Sequence, residues 1–255
     1  MKKALILASA VAMMAGLTAQ GAIIENGTVF AQNGNGDITT TIDGSASDML
    51  VVFVVGEHGF NNTDGQCVDI TYDGVSLTRI LDRNPIASGT DTLYGDVWVM
   101  ENPSANHVAG TLFADVTTRG NLWAVTLSGD GALSVGDSGF SATGGNSQSL
   151  TTAAGSYVAA ALNLGGAGNT AGLAGISADS PLTSRGGQEN GSNWDGHFIG
   201  TLNGTTAGTT AYSFTGGNLA GAFTSAIEIK EAVIPEPGTF ALLGLGIVTA
   251  LILRR

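Results

Sequence analysis

The sequence contains little cysteine and few charged residues. Its single cysteine, Cys67, excludes an intramolecular disulfide framework and any metal site built from several thiolates. Charged residues make up 12% of the chain, about half the usual share for soluble domains. Only 9 lysines and arginines stand against 21 acidic residues, and the resulting net charge of −12 excludes a general nucleic-acid binder.

Glycine and short apolar segments make up much of the rest. The 39 glycines among 255 residues are roughly twice the average share and favour an architecture rich in turns. No Gly-X-Y period accompanies them, so a collagen-like chain is excluded. Hydrophobic residues amount to 43%, which is enough to build a core and excludes a disordered chain.

Alternating and β-branched segments recur through the middle of the chain. Residues 47–55 are apolar on both faces, which is typical of a central strand. Cys67–Tyr72 and Val75–Ile80 flank Asp73-Gly74, the strongest short-range signal for a hairpin. Further strands are predicted at 93–100, 108–116, 121–127, 156–162, 212–214 and 222–230. Residues 22–232 are therefore expected to form one all-β domain, an antiparallel sandwich that is either Ig-like or jelly-roll-like, with 165–193 as surface loops.

The N-terminus has the three parts of a secretory signal peptide. Lys2 and Lys3 precede an apolar run from Ala4 to Leu17, and small residues follow at Ala19 and Gly21. This pattern predicts a signal peptide over 1–21 with cleavage before Ala22 or one residue later. The apolar run is short for a retained membrane anchor.

The C-terminus consists of an extended motif, an apolar run and a basic end. Pro235, Glu236 and Pro237 hold the backbone extended, because each proline fixes its own φ and restricts the preceding residue. Residues 238–253 are predicted to form a short transmembrane helix, although the stretch is shorter than the ~20 residues of a comfortable span. Arg254 and Arg255 should act as a membrane stop on the cytoplasmic side.

This tail closely resembles the PEP-CTERM sorting signal, a family tail with a Pro-Glu-Pro motif, a short helix and a basic end. The resemblance covers residues 233–255 and implies recognition by an exosortase, a membrane peptidase, with cleavage near the motif. It also implies transient anchoring in the inner membrane and final placement at the cell surface or in an exopolysaccharide or biofilm matrix. A plain tail anchor is the alternative. Residues 69–100 also resemble bacterial surface β-sandwich modules, which supports the fold and implies no activity.

The exported region is acidic, and two explanations apply to its carboxylates. Solubility outside the cell accounts for them without a ligand. Structural calcium is the second, because acidic loops of sandwich modules can supply oxygen ligands; Asp37, Asp43, Asp48 and Asp64 are the candidates. The sequence from Asn33 is not an EF-hand, since Ile38 and Gly44 stand where that loop needs glycine and glutamate.

Catalytic patterns are incomplete in this chain. Residues 136–139 read Gly-Asp-Ser-Gly and resemble the nucleophile motif of trypsin-like proteases, but Phe140 replaces the following glycine, and a turn explains the motif better. The histidines His58, His107 and His197 are far apart and lack zinc-protease spacing, so a zinc protease is not indicated. Glu57-His58 and Asp195-x-His197 could contribute metal ligands, but turns at strand ends explain them as well, and the metal stays unknown. We therefore predict no catalytic residues and no cofactor.

Two further functions stay open. A carbohydrate-binding module would use an exposed aromatic side chain, for which Trp194 in a polar loop is the candidate; Trp98 and Trp123 lie in apolar strands and are expected in the core. A secreted hydrolase would need a facing pair of carboxylates that sequence cannot identify. The leading expectation is an exported, non-enzymatic surface or matrix protein.

Overall fold

The computed structural model describes residues 22–33, 36–58, 66–88, 91–103, 109–117, 119–142, 144–165, 173–190, 195–216 and 221–232. Within these ranges the chain forms antiparallel β-strands and no α-helix, which confirms the all-β prediction. No helix among the described residues is long and apolar enough to cross a membrane. The predicted signal peptide and the predicted C-terminal helix lie outside the described residues.

The strands follow one another along the chain with short connections. In order they are β1 Ile24–Asn33, β2 Ile38–Ile42, β3 Met49–His58, β4 Cys67–Tyr72, β5 Val75–Ser76, β6 Thr78–Ser88, β7 Asp91–Glu101, β8 Gly110–Val116, β9 Arg119–Ser128, β10 Leu133–Phe140, β11 Ser147–Thr152, β12 Tyr157–Gly165, β13 Ser177–Ala178, β14 Thr183–Asn190, β15 Asp195–Asn203, β16 Gly208–Thr215 and β17 Phe223–Glu231.

The N-terminal strands form two sheets with nested pairing. One sheet has the order β1-β9-β3-β7-β6, and the other has the order β2-β8-β4-β5. β1 pairs with β9, β2 pairs with β8, and β3 pairs with β7. This nesting is that of an antiparallel ribbon rolled into a jelly roll.

The C-terminal strands repeat the same order. Their sheets run β10-β17-β12-β15-β14 and β11-β16-β13, so each strand has a counterpart at the same place in the N-terminal half, except for the two-residue β5. The two halves thus have one topology in tandem. The sequence analysis expected a single sandwich, and the chain instead forms four sheets.

The four sheets stack in layers with a hydrophobic core between each neighbouring pair. The two five-stranded sheets lie in the middle and pack against each other through one core, which includes Phe53, Trp123 and Tyr157. A second core joins the β1 sheet to the β2 sheet, and a third joins the β10 sheet to the β11 sheet. Each middle sheet is therefore covered on both faces.

Burial on both faces explains the strands that are apolar throughout. β3 lies at the centre of its sheet, and Met49 and Leu50, which point to opposite faces, are both inaccessible to solvent. The prediction of a central strand over 47–55 is confirmed. β12 and β17 occupy the equivalent interior of the other middle sheet and are buried along nearly their whole length.

The predicted hairpin forms, and its second arm then changes sheets. Asp73 and Gly74 have φ values of 49° and 79°, the left-handed pair that a tight two-residue turn requires. Val75–Ser76 pairs with β4, whereas the chain from Thr78 pairs with β7 in the neighbouring sheet. The single strand predicted over Val75–Ile80 is therefore wrong at Leu77, whose buried side chain lies at the crossing.

The prediction of surface loops over 165–193 is wrong for part of that segment. Thr183–Asn190 is β14, the edge strand that pairs with β15. Gly186, with a φ of 92°, lies where the pairing register shifts. The strand escaped detection because an edge strand of Ser, Gly, Gln and Asn has no apolar alternation, and its backbone bonds to β15 stabilise it instead.

Candidate functional site

The Gly136–Gly139 motif is a bulge in edge strand β10. The pairing of β10 with β17 shifts register between Val135 and Ser138, which turns the backbone of the motif toward the interior. The Asp137 carboxylate accepts hydrogen bonds from the backbone N–H of Ser138 at 2.9 Å and of Thr151 at 2.7 Å. The aspartate therefore ties the bulge to β11.

A buried carboxylate, Glu228, lies beneath this bulge. Its side chain is 2% exposed and accepts three hydrogen bonds: from the backbone N–H of Ala153 at 2.6 Å, from Ser156 Oγ at 2.6 Å and from the backbone N–H of Asp137 at 3.0 Å. Ser156 Oγ also lies 2.7 Å from Thr205 Oγ1. These contacts join β10, β17 and the loops before β12 and β16.

The hydrogen bonds to Glu228 fix the backbone of the neighbouring segments at Asp137 and Ala153. Each contact satisfies a buried N–H or hydroxyl group, as buried polar groups require. A Cβ atom at position 136 would collide with the Glu228 carboxylate, so glycine is needed there. The sequence analysis did not identify Glu228, because it lies 91 residues from Asp137 and no local pattern distinguishes it from the many other acidic residues.

His197 is on the opposite face of the same sheet. It contacts Phe30 with ring centroids 5.8 Å apart, in the core between the two middle sheets. It is inaccessible to solvent, and neither ring nitrogen has a hydrogen-bond partner among the described residues. Burial lowers the pKa of His197 from 6.5 to about 3, because the charged form is excluded from an apolar interior. The sheet that contains β15 and β17 thus separates this imidazole from Glu228.

The described residues contain no group of three or more His, Cys, Asp or Glu side chains that could hold a metal ion. Asp64 and His107 lie outside them, as do the side chains of His58 and Asp195. Hydrogen bonds from the side chain and then from the backbone N–H of Ser45 lower the pKa of the Asp43 carboxyl group. Asp48 accepts one from the backbone N–H of Gly129 at 3.0 Å. Structural calcium stays a prediction.

Two predicted core tryptophans are confirmed, whereas the candidate glycan contact is not described. Trp123 is fully buried and Trp98 is 4% exposed. Trp194 lies outside the described residues, so glycan binding stays a prediction. Of the buried carboxylates, Asp96 lies in β7 of the other middle sheet. Glu228 and Glu231 both lie in β17, but three residues apart they point to opposite faces of the sheet.

Cys67 begins β4 and is fully buried, as expected for a small hydrophobic residue. Burial raises the pKa of its thiol, and Asp96 adds to that rise. We expect Cys67 to resist a thiol-specific reagent at pH 8 in the native protein and to react within minutes in denaturant. Absorbance of the released thiolate measures both rates. Rapid reaction in the native state would contradict the burial.

Both ends of the described domain lie at one end of the molecule. The Ile23 carbonyl accepts a hydrogen bond from Asn203 Nδ2, and Asn203 pairs with Tyr157, which pairs with Ile229. Asn203 therefore lies about 10 Å, or two strand spacings, from Ile229 near the end of β17, and Ile23 lies beside Asn203. Glu25 strengthens this junction, because its carboxylate bonds to Arg185 at 2.5 Å and to Tyr157 at 3.0 Å.

The described residues end at Ala232, three positions before Pro235. β17 ends at Glu231, and the Ala232 N–H donates to the Ala132 carbonyl at 2.8 Å. The family model described as the PEP-CTERM protein-sorting motif matches residues 233–255, the whole remainder of the chain. The chain carries a PEP-CTERM sorting motif. This match confirms the sequence resemblance and includes Pro235, Glu236 and Pro237 together with Arg254 and Arg255.

Other comparisons add nothing to the PEP-CTERM match. No curated protein matches the chain significantly. Among solved structures, the cryo-EM structure of the T=3 Penaeus vannamei nodavirus is 13% identical and covers 84% of this chain and 75% of its own, with a TM-score of 0.22. A TM-score this low carries no conclusion about fold or function.

Proposed function

We propose that this protein is an exported, non-enzymatic component of the cell surface or extracellular matrix, sorted and cleaved by an exosortase. The observation that carries the proposal is the PEP-CTERM motif at 233–255, which follows the last described strand, β17, by one residue. Its location would be the inner membrane during sorting and the surface or the medium afterwards. The partners would be the membrane peptidase and then matrix exopolysaccharide.

The described domain fits this role through its construction. Three hydrophobic cores lie between four stacked sheets, and most of the long side chains are buried within them. The buried carboxylate of Glu228 accepts hydrogen bonds from two backbone N–H groups and one hydroxyl group and so stabilises the fold. A layered β-protein with hydrophobic cores between its sheets is suited to persist as a structural element outside the cell.

The proposal is tested by the mass of the mature protein in matched strains with and without the exosortase. In the parent strain we expect a product in the medium or at the surface that lacks the signal peptide and residues after the proline motif. Without the exosortase, the tail should stay attached and the protein should remain in the membrane fraction. Identical products in both strains would refute processing by that enzyme.

A test of activity separates the structural role from the hydrolase alternative. We expect purified mature protein to leave matrix polysaccharides and casein unchanged. Turnover above that of a heat-inactivated sample would contradict the non-enzymatic role and leave the sorting proposal intact.

A further inference from the structure

Ala232, at the end of the described domain, is close enough along the chain to Pro235 that a peptidase bound at the proline motif would contact the domain. Three peptide units separate Ala232, which is bonded to Ala132, from Pro235. Fully extended, they span at most about 11 Å. Even a small folded domain has a radius of gyration of about 13 Å, so a peptidase that encloses the proline motif cannot stay clear of the domain.

The tether cannot lengthen by peeling off the last strand. β17 is an interior strand that pairs with both β10 and β12. Its residues from Phe223 to Ile229 are buried, and the Glu231 carboxylate accepts the backbone N–H of Gly131 at 2.8 Å. Releasing Lys230 and Glu231 would break their pairing with β10, and releasing Ile229 as well would break the pairing with β12 and open a core. Ala232 is therefore a fixed starting point.

The surface around Ala232 consists of two loops in particular. The loop 129–132 bonds directly to Ala232 and Glu231, and the loop 153–156 precedes Tyr157, which pairs with Ile229. Ala132 and Ala154 are the exposed alanines of these two loops. We call Ala132, Ala154 and their loops the exit surface.

We propose that the exit surface is a docking surface for the membrane peptidase that cleaves at the Pro235–Pro237 motif, so that the enzyme reads the end of the folded domain together with the motif. This inference rests on the proposed function and adds that the domain takes part in recognition. The occupant is assigned to the peptidase because the chain between the surface and the motif is too short to place anything else between them.

The test places bulk on the exit surface and measures tail processing in cells. Ala132→Trp and Ala154→Trp change exposed side chains at the exit surface. Ala142→Trp is the matched control, since Ala142 is exposed in the loop beside the start of β17, about 30 Å away along that strand. Pulse–chase labelling with mass analysis of the full chain gives the processing rate, and protease resistance of the unprocessed chain reports folding.

With the native tether, we expect A132W and A154W to slow processing on the order of tenfold to a hundredfold, as a misplaced substrate does, and A142W to leave the rate unchanged. Inserting about 12 Gly and Ser residues after Ala232, which adds roughly 20 Å of reach, should slow processing of the wild-type chain and remove the difference between it and the two variants. Wild-type rates in A132W and A154W would overturn the docking surface, as would an insertion that restores both variants to the wild-type rate, which is the result of steric obstruction alone.

The two proposals fail in different ways. Processing that continues in the strain without the exosortase refutes the sorting proposal. Processing that requires the exosortase but ignores the bulk at positions 132 and 154 refutes only the docking surface. A wild-type chain that is never processed refutes both.

Discussion

Replacing Glu228 with alanine is expected to lower the free energy of unfolding by about 3–5 kcal/mol, since it leaves buried donors without an acceptor. Ala153 N–H, Ser156 Oγ and Asp137 N–H all donate to this carboxylate. Each unsatisfied buried group costs about 1–3 kcal/mol, and water entering the space recovers part of the sum. Urea denaturation followed by tryptophan fluorescence measures the change.

Gly136 provides the control for this prediction. Gly136→Ala places a Cβ against the Glu228 carboxylate and should itself cost about 1–3 kcal/mol. In the E228A background most of that cost should vanish, because the clashing atoms are gone, and the double-mutant cycle should show coupling above about 1 kcal/mol. Additive effects would mean that the bulge does not depend on Glu228.

Acid is expected to destabilise the protein through His197. The folded pKa is lowered to about 3, whereas the unfolded chain titrates near 6.5. The unfolded state therefore binds the proton first, and stability present above pH 6.5 is lost as pH falls toward 3. At about 1.36 kcal/mol per pH unit, the loss approaches 4–5 kcal/mol at most.

His197→Phe separates this effect from the titration of the many carboxylates. Phenylalanine keeps a ring against Phe30 and removes the only titrating group at that position. Subtracting the unfolding free energies of the two proteins at each pH cancels the carboxylates. The difference should be flat above pH 7 and should shift in favour of H197F as pH falls toward 3. A constant difference over that interval would show that His197 is not buried as a neutral ring.

Some features were predictable because their signals are contiguous in the chain. The hairpin turn at Asp73-Gly74 depends on two adjacent residues, and the central strand over 47–55 depends on one apolar run. The tail is also contiguous, so its proline motif, apolar run and terminal arginines could be recognised together. Burial of Trp98 and Cys67 followed from the apolar strands that contain them.

Other features depend on partners that are distant in the sequence. The edge strand β14 has no apolar pattern and exists because β15 lies beside it. Glu228 gains its role only when the fold brings Gly136 and Ser156 against it. No local signal marks such residues, because an isolated acid or glycine is compatible with many surroundings.

The sequence alone determined that the protein is an all-β chain with a sorting tail, since alternation, turn chemistry and terminal motifs are local properties. Only the tertiary structure decided that the strands form two copies of one nested topology stacked in four layers. It also decided that the chain leaves the domain from an interior strand, three residues before Pro235. The physical reason is that sheet order and layering depend on many weak pairings across long separations, which no single segment encodes.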